Sequence, residues 1–268
     1  MSMRRDPTMA ELRRVILLSA NENTVIVGGM AVSLLAEVYG VSSETPCMTT
    51  DGDYLGGTLA LEESERKLAG FTVRKYLATL DDQATPNSGK LAVEIGPDVE
   101  PIGLDFLFRI DGMSTDEVEQ KAVSVEVDGK PVRVMHPVLL LENKIGNLAM
   151  YPAKRNVAGI NQALLAIRIA EAYLKQCLRQ DDAQRPVLVV VERLARFAQR
   201  EAACYVYKAF GLDVMDAIPE AVTKFGPPFA SKRWPQIKKA IADRRGKFDR
   251  LWERMAVVSG PKVRRFRP

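Results

Sequence analysis

The amino-acid sequence predicts a mixed α/β domain followed by a helical one, on three observations. Short apolar runs bounded by turn residues fill the first half of the chain. Two alternating segments, 122–127 and 131–135, flank Asp128-Gly129-Lys130, and Asp-Gly favours the positive dihedrals of a tight hairpin turn. After Pro137 the apolar spacing changes to a period near that of an α-helix. That change sets the expected division, 1–136 for the α/β domain and 137–268 for the helical domain.

In chain order, residues 24–27, 91–95 and 102–110 read as strands, being short and rich in β-branched or aromatic residues. Residues 29–40, MAVSLLAEVYG with its preceding glycine, are helical in composition and stop on Gly40. Residues 81–90, DDQATPNSGK, read as a loop from their Pro, Asn, Ser and Gly content. Helices are expected over 138–150, 157–178, 185–210 and 234–258, and there is no internal repeat.

With 268 residues, 47% hydrophobic and 27% charged, the chain can bury a sizeable core and need not be disordered. The apolar runs 15–18 and 187–191 are far shorter than the roughly 20 residues of a membrane-spanning helix, and no basic-then-apolar leader opens the sequence. A cytoplasmic protein without a membrane partner is expected. Three widely spaced cysteines, Cys47, Cys177 and Cys204, suit neither a disulfide framework nor a thiolate zinc site. His136 is the only histidine, which excludes a two-histidine zinc motif and leaves catalysis to carboxylates.

Three short motifs carry the chemistry. Val25-Ile26-Val27-Gly28-Gly29 runs an apolar strand into a Gly-Gly corner at the start of a helix. Paired glycines let a phosphate approach free backbone N–H groups, and a helix N-terminus adds partial positive charge. An ordinary strand-to-helix turn fits the same residues. GGMAVS lacks the spacing of a dinucleotide fingerprint, and no G-x-x-x-x-G-K-[ST] phosphate loop occurs. In Thr49-Thr50-Asp51-Gly52-Asp53-Tyr54-Leu55, a strand would put Asp51 and Asp53 on one face, about 6.5 to 7 Å apart at Cα. Their mutual repulsion is relieved by divalent metal, and oxygen-only ligation suits magnesium. A surface turn is the alternative, since Asp-Gly-Asp is also turn chemistry. Asp105 lies inside the apolar run Ile102-Gly103-Leu104-Asp105-Phe106-Leu107-Phe108, where an unpaired carboxylate is costly to bury, so a metal or a cation must be near. Arg109, in the same strand, is set aside as that cation.

Gly28-Gly29, Asp51-x-Asp53 and Asp105, in this order, resemble the polymerase-beta-like nucleotidyltransferase superfamily, over residues 20–150. That family has a strand, a Gly-Gly or Gly-Ser corner, a helix, a D-x-D strand and a third acid on a neighbouring strand. The resemblance implies a nucleotidyltransferase-like mixed sheet with flanking helices, and transfer of a nucleoside monophosphate from a nucleoside triphosphate to an acceptor hydroxyl. It implies Asp51, Asp53 and Asp105 as catalytic residues and ligands of two magnesium ions, with Gly28 and Gly29 on the phosphates. Two departures stand out: Gly29 replaces a frequent serine, and Gly52 stands where an apolar residue usually anchors the strand.

A further segment, His136-Pro137-Val138-Leu139-Leu140-Leu141-Glu142-Asn143-Lys144-Ile145-Gly146-Asn147-Leu148, puts Val138, Leu141, Ile145 and Leu148 on one helical face with Lys144 at its edge. It resembles the lysine-bearing helix of toxin-type nucleotidyltransferases of abortive-infection and toxin–antitoxin systems, which implies that Lys144 binds the triphosphate and that an antitoxin protein is a partner. A lysine whose stem covers apolar surface fits equally. The branch usually continues with a basic residue and an aspartate, where this chain has Lys154-Arg155-Asn156.

The overall charge of +4 is unevenly placed, since residues 231–268 hold 13 Lys/Arg against three Asp/Glu, a balance of +10 that leaves −6 for the other 230. Clustered cations gain affinity by releasing counterions from phosphates, which makes RNA the expected acceptor and Lys238, Lys239, Arg244 and Arg245 its expected contacts. Trp234, Phe248, Trp252 and Phe266 interleave with them and could stack on unpaired bases or form core. A solvated basic helix is the plainer alternative. An aminoglycoside-like small molecule and a protein hydroxyl are the other acceptors considered, and a non-catalytic nucleotide- or partner-binding module is the reading from another class.

Overall fold

The structure, a computed structural model, describes residues 4–42, 49, 51–78, 86–182 and 184–259. Cys47, Thr50, Phe266 and the first part of the expected loop at 81–90 lie outside these residues. The chain divides into two compact units, Met1–Leu140 and Leu141–Pro268. The first is α/β and the second helical, in the order that the change of period predicts.

The first unit is a mixed sheet of seven strands among the described residues, ordered β3-β4-β5-β2-β1-β7-β6. The strands are β1 (Val25–Val27), β2 (Asp51–Leu55), β3 (Thr72–Leu77), β4 (Asn87–Glu94), β5 (Ile102–Leu107), β6 (Val123–Val127) and β7 (Lys130–Val134). Helices α1 (Met9–Ser19), α2 (Gly28–Val38), α3 (Thr58–Lys67) and α4 (Thr115–Lys121) accompany them. β2 pairs in parallel with β5 and antiparallel with β1, and β1 pairs in parallel with β7. The expected loop is corrected here: Asn87–Lys90 belong to β4, whose alternating burial leaves Gly89, Leu91 and Val93 inside. The strand expected over 102–110 ends at Leu107. At the hairpin, Val127 pairs with Lys130, so the turn is the two residues Asp128 and Gly129, both at positive φ (51° and 71°).

α1 begins with a reciprocal cap. The Thr8 backbone N–H donates to Glu11 Oε2 at 2.8 Å while the Glu11 N–H donates to Thr8 Oγ1 at 3.2 Å, and Arg5 donates to both Glu11 oxygens. Arg5, and then Thr8, hold the Glu11 carboxyl down at about 2, against an ordinary value of 4.5. A depressed folded-state value means that this contribution is complete above about pH 4.5 and is lost as pH falls towards 2. Amide exchange in the first turn of α1, corrected for intrinsic rate, should accelerate over that window while the core of the sheet stays protected.

The second unit contains the rest of α5 (Pro137–Met150), then α6 (Val157–Cys177), α7 (Gln184–Ala198), α8 (Glu201–Phe210), α9 (Glu220–Thr223) and α10 (Trp234–Ser259), the last preceded by a π-helical turn at Phe229–Arg233. The single helix expected over 185–210 is two. Arg200 is extended (φ −71°, ψ 152°), and Gln199 Nε2 donates to the Ala195 carbonyl that the break leaves open. His136 stands at the start of α5, where its Nδ1 accepts from the Val138 N–H at 3.2 Å, a capping role. Cys177 and Cys204 are free thiols. Among the described residues no helix is long and apolar enough to cross a membrane.

Candidate active site

β2 alternates as its sequence requires. Gly52 and Tyr54 point into the core, and Asp51 and Asp53 occupy the other, half-buried face. Gly52 is there for room: a Cβ would come within 2.9 Å of Ile16 Cδ1 on α1 and 3.0 Å of Leu104 Cδ2 on β5. The apolar anchor is thus supplied by neighbours pressing on a bare backbone. Behind the strand, the fully buried Tyr54 stacks on Phe106 with ring centroids 5.2 Å apart, and its hydroxyl lies 2.6 Å from Ser19 Oγ and donates to the Ile16 carbonyl at 2.9 Å. At the front, Thr49 Oγ1 donates to the Asp51 carbonyl at 3.1 Å, securing the start of the strand.

The parallel register places Asp105 directly beside Asp53, and Gly103 beside Asp51. Paired residues of neighbouring strands share a face at a strand spacing of about 4.8 Å, so all three acids belong to one face. The row extends on both sides, with Val27 opposite Asp53 and Lys90 opposite Asp105. Lys90 Nζ stands 3.5 Å from Asp105 Oδ1. Burial pushes the Asp105 carboxyl up from its ordinary value, Lys90 pulls it back, and the charge of Asp51 raises it further. The cation that the apolar surroundings of Asp105 demand is therefore Lys90.

After Val27 the chain turns through Gly28 at φ +66° into α2. A Cβ on Gly28 would lie 1.9 Å from Asp53 Oδ2, so glycine is required both by the dihedral and by the carboxylate resting on it. The Gly-Gly corner and the D-x-D strand thus meet at Asp53.

Magnesium typically binds one or two carboxylates and completes its shell with substrate phosphates and water. Asp51 and Asp53 on one face, beside a glycine corner, fit that donor set. A preformed cage does not exist: among the described residues no group of three or more His, Cys, Asp or Glu is gathered to hold a metal ion.

In the second unit, Lys144 is only 7% exposed and its Nζ donates to Gln162 Oε1 at 2.7 Å. Two residues earlier, Glu142 accepts from Arg193 Nε and Nη2 at 2.6 and 2.7 Å. Of the four basic residues singled out on α10, Lys238 and Lys239 are exposed, and Arg244 is exposed with its Nε donating to the Gln199 carbonyl. Arg245 is engaged internally, donating to both oxygens of Asp213 and lying 3.8 Å from the Tyr207 ring centroid. Trp252 packs with Tyr205 and Phe248, and Trp234 with Phe229, so these aromatics take part in the packing of the unit.

No family model matches the sequence, and no curated protein does. Among solved structures, the chain is similar to an antigenic nucleotidyltransferase-like protein from Paracoccidioides brasiliensis, at 15% identity and a TM-score of 0.42 over 70% of this chain and 89% of that one. It is also similar to the Megavirus polyadenylate synthase, at 13% identity and a TM-score of 0.39 over 68% of this chain and 39% of that one.

The site residue that sequence reasoning misses is Lys90. A polar lysine alternating with Leu91 and Val93 is a signal for a strand beginning before residue 91, but the neighbouring Pro, Asn, Ser and Gly point to a loop. Its pairing with Asp105 is a matter of strand register, which local sequence does not carry.

Proposed function

We propose that this chain is a metal-dependent nucleotidyltransferase, moving a nucleoside monophosphate from a nucleoside triphosphate to an acceptor hydroxyl. The observation that carries this reading is the row of Asp53 and Asp105 on adjacent parallel strands, with Asp51 on the same face and the Gly28 corner against Asp53. Asp51 and Asp53 would hold magnesium, which supplies Lewis-acid stabilisation of the phosphate charge when bound. Asp105 receives the proton of the acceptor hydroxyl as its oxygen bonds to the α-phosphorus; the bond from that phosphorus to the bridging oxygen breaks, and pyrophosphate leaves. Backbone N–H groups at Gly28 and Gly29 bind phosphate oxygens at the start of α2. The deciding experiment incubates the protein with each α-labelled triphosphate, magnesium and total RNA. Label transferred by the natural protein and lost in Asp51→Ala supports the reading, and no transfer to RNA, protein or small hydroxyl acceptors, with metal still bound, favours a non-catalytic binding module.

RNA is the acceptor we favour, on the exposed Lys238 and Lys239 of α10. Reversing both to Glu should depress RNA labelling about tenfold at physiological salt and lower the salt slope of RNA binding by about 0.7 for each phosphate no longer neutralised. Arg245 is left intact in this test because its reversal would break the pair with Asp213. Unchanged RNA labelling would make Lys238 and Lys239 a solvated face, whereas a natural protein that labels no RNA would move the acceptor to a small aminoglycoside-like molecule or a protein hydroxyl.

Lys144→Ala should raise the KM for the triphosphate several-fold with kcat little changed, the signature of weakened ground-state binding. A lowered melting temperature with unchanged kinetics would instead give Lys144 a structural role, its bond with Gln162 included.

A further inference from the structure

Lys90 lies on the acid face of the sheet because Gly103 leaves space for it. A Cβ on Gly103 would stand 3.0 Å from both Cε and Nζ of Lys90 and 3.8 Å from the Asp51 Cβ. The lysine stem therefore crosses a bare backbone position next to Asp51 and brings its ammonium within 3.5 Å of Asp105 Oδ1. Its side chain is 44% exposed, whereas that of Asp105 is 17% exposed, so the lysine reaches solvent while the acid beside it is largely covered. A divalent ion entering at Asp105 would meet an ammonium already in place, and like charges at that separation repel strongly in a half-buried setting. Among the described residues the acids do not form a group of three ready for a metal. Three carboxylates are balanced by one ammonium and one divalent ion, with no net charge left over.

Resting on the nucleotidyltransferase reading above, we propose that Lys90 takes the place of a second metal ion. The chain then binds a single divalent ion, at Asp51 and Asp53, and Asp105 is not a metal ligand. Lys90 acts as a positioning residue: its ammonium, 3.5 Å from Asp105 Oδ1, orients that carboxylate where a two-ion site would use a metal for the same purpose.

The test counts Mn2+ bound to the full chain, reading free Mn2+ by electron paramagnetic resonance. The natural protein should bind one ion that disappears in Asp51→Asn with Asp53→Asn, and Asp105→Asn should leave that ion in place. Lys90→Met should gain a second ion at least tenfold tighter than any additional binding to the natural protein, and adding Asp105→Asn should remove it. Lys90→Arg, which keeps the charge, should remain at one. Thermal melting of each variant confirms that the sheet is intact. Two ions on the natural protein, one of them dependent on Asp105, would overturn the Lys90 inference and leave the nucleotidyltransferase reading standing. So would a Lys90→Met protein that still binds one. No ion dependent on Asp51 and Asp53 would overturn both.

Discussion

Replacing Asp51 or Asp53 by Ala is expected to reduce nucleotidyl transfer by on the order of a thousandfold or more, with the fold retained. On the proposed reading these acids hold the magnesium that meets the developing charge on phosphorus, where removing even one electrostatic interaction costs roughly a hundred- to a thousandfold. The fold should survive because both side chains are on the half-buried face, and removing Asp51 also relieves a repulsion that raises the Asp105 carboxyl. Asp105→Ala should also abolish transfer, but by the loss of a proton acceptor. Steady-state labelling at saturating magnesium, paired with thermal melting of each variant, separates a chemical defect from a folding one. Full activity in Asp51→Ala or Asp53→Ala would end the assignment of this face as an active site.

The largest stability effect is expected in the second unit, at the ion pair of Glu142 and Arg193. Glu142 has a side chain only 8% exposed, and both its oxygens accept from the planar guanidinium of Arg193, itself 25% exposed. Arg193→Met keeps most of the apolar stem but leaves the buried carboxylate without this partner, a change that typically costs about 3 to 5 kcal/mol. For a chain of this length the melting temperature should fall by roughly 6 to 15 °C. Adding Glu142→Gln should recover much of the loss, because the uncompensated charge goes with it. A melting temperature unchanged by Arg193→Met would mean that water solvates Glu142 and that the pair contributes nothing.

The parts of this molecule legible in the sequence are those with a local cause. Alternation identifies β2 and the common face of Asp51 and Asp53, Asp-Gly identifies the hairpin turn, and the lone acid of β5 announces a nearby cation. α1, α3, α4 and β3 are not distinguished, since α1 and α3 carry their apolar residues in short, interrupted patches and β3 is exposed along most of its length. The partner of Asp105 is beyond reach for a different reason, because Lys90 comes to it through the register of β4 on β5. The division between α7 and α8 is equally hidden: both helices are amphipathic, and Gln199-Arg200 contains neither Gly nor Pro to mark the break. Arg245 reads as a surface cation in the sequence, whereas Asp213 and Tyr207 occupy it in the fold.

Among the described residues β2 is the middle strand of seven, with three strands on either side. Its backbone amides are paired on both edges and its reverse face is tied to α1 through Tyr54, Ser19 and Ile16. Hydrogen exchange at such a position proceeds through opening of the whole unit rather than through fraying. The consequence concerns how the protein fails on heating. An active site carried on loops loses its geometry some degrees before its scaffold melts, in steps, whereas acids mounted on an interior strand keep their spacing until the sheet itself gives way. Metal-binding capacity at Asp51 and Asp53 and the circular dichroism of the first unit should therefore vanish in one superimposable transition.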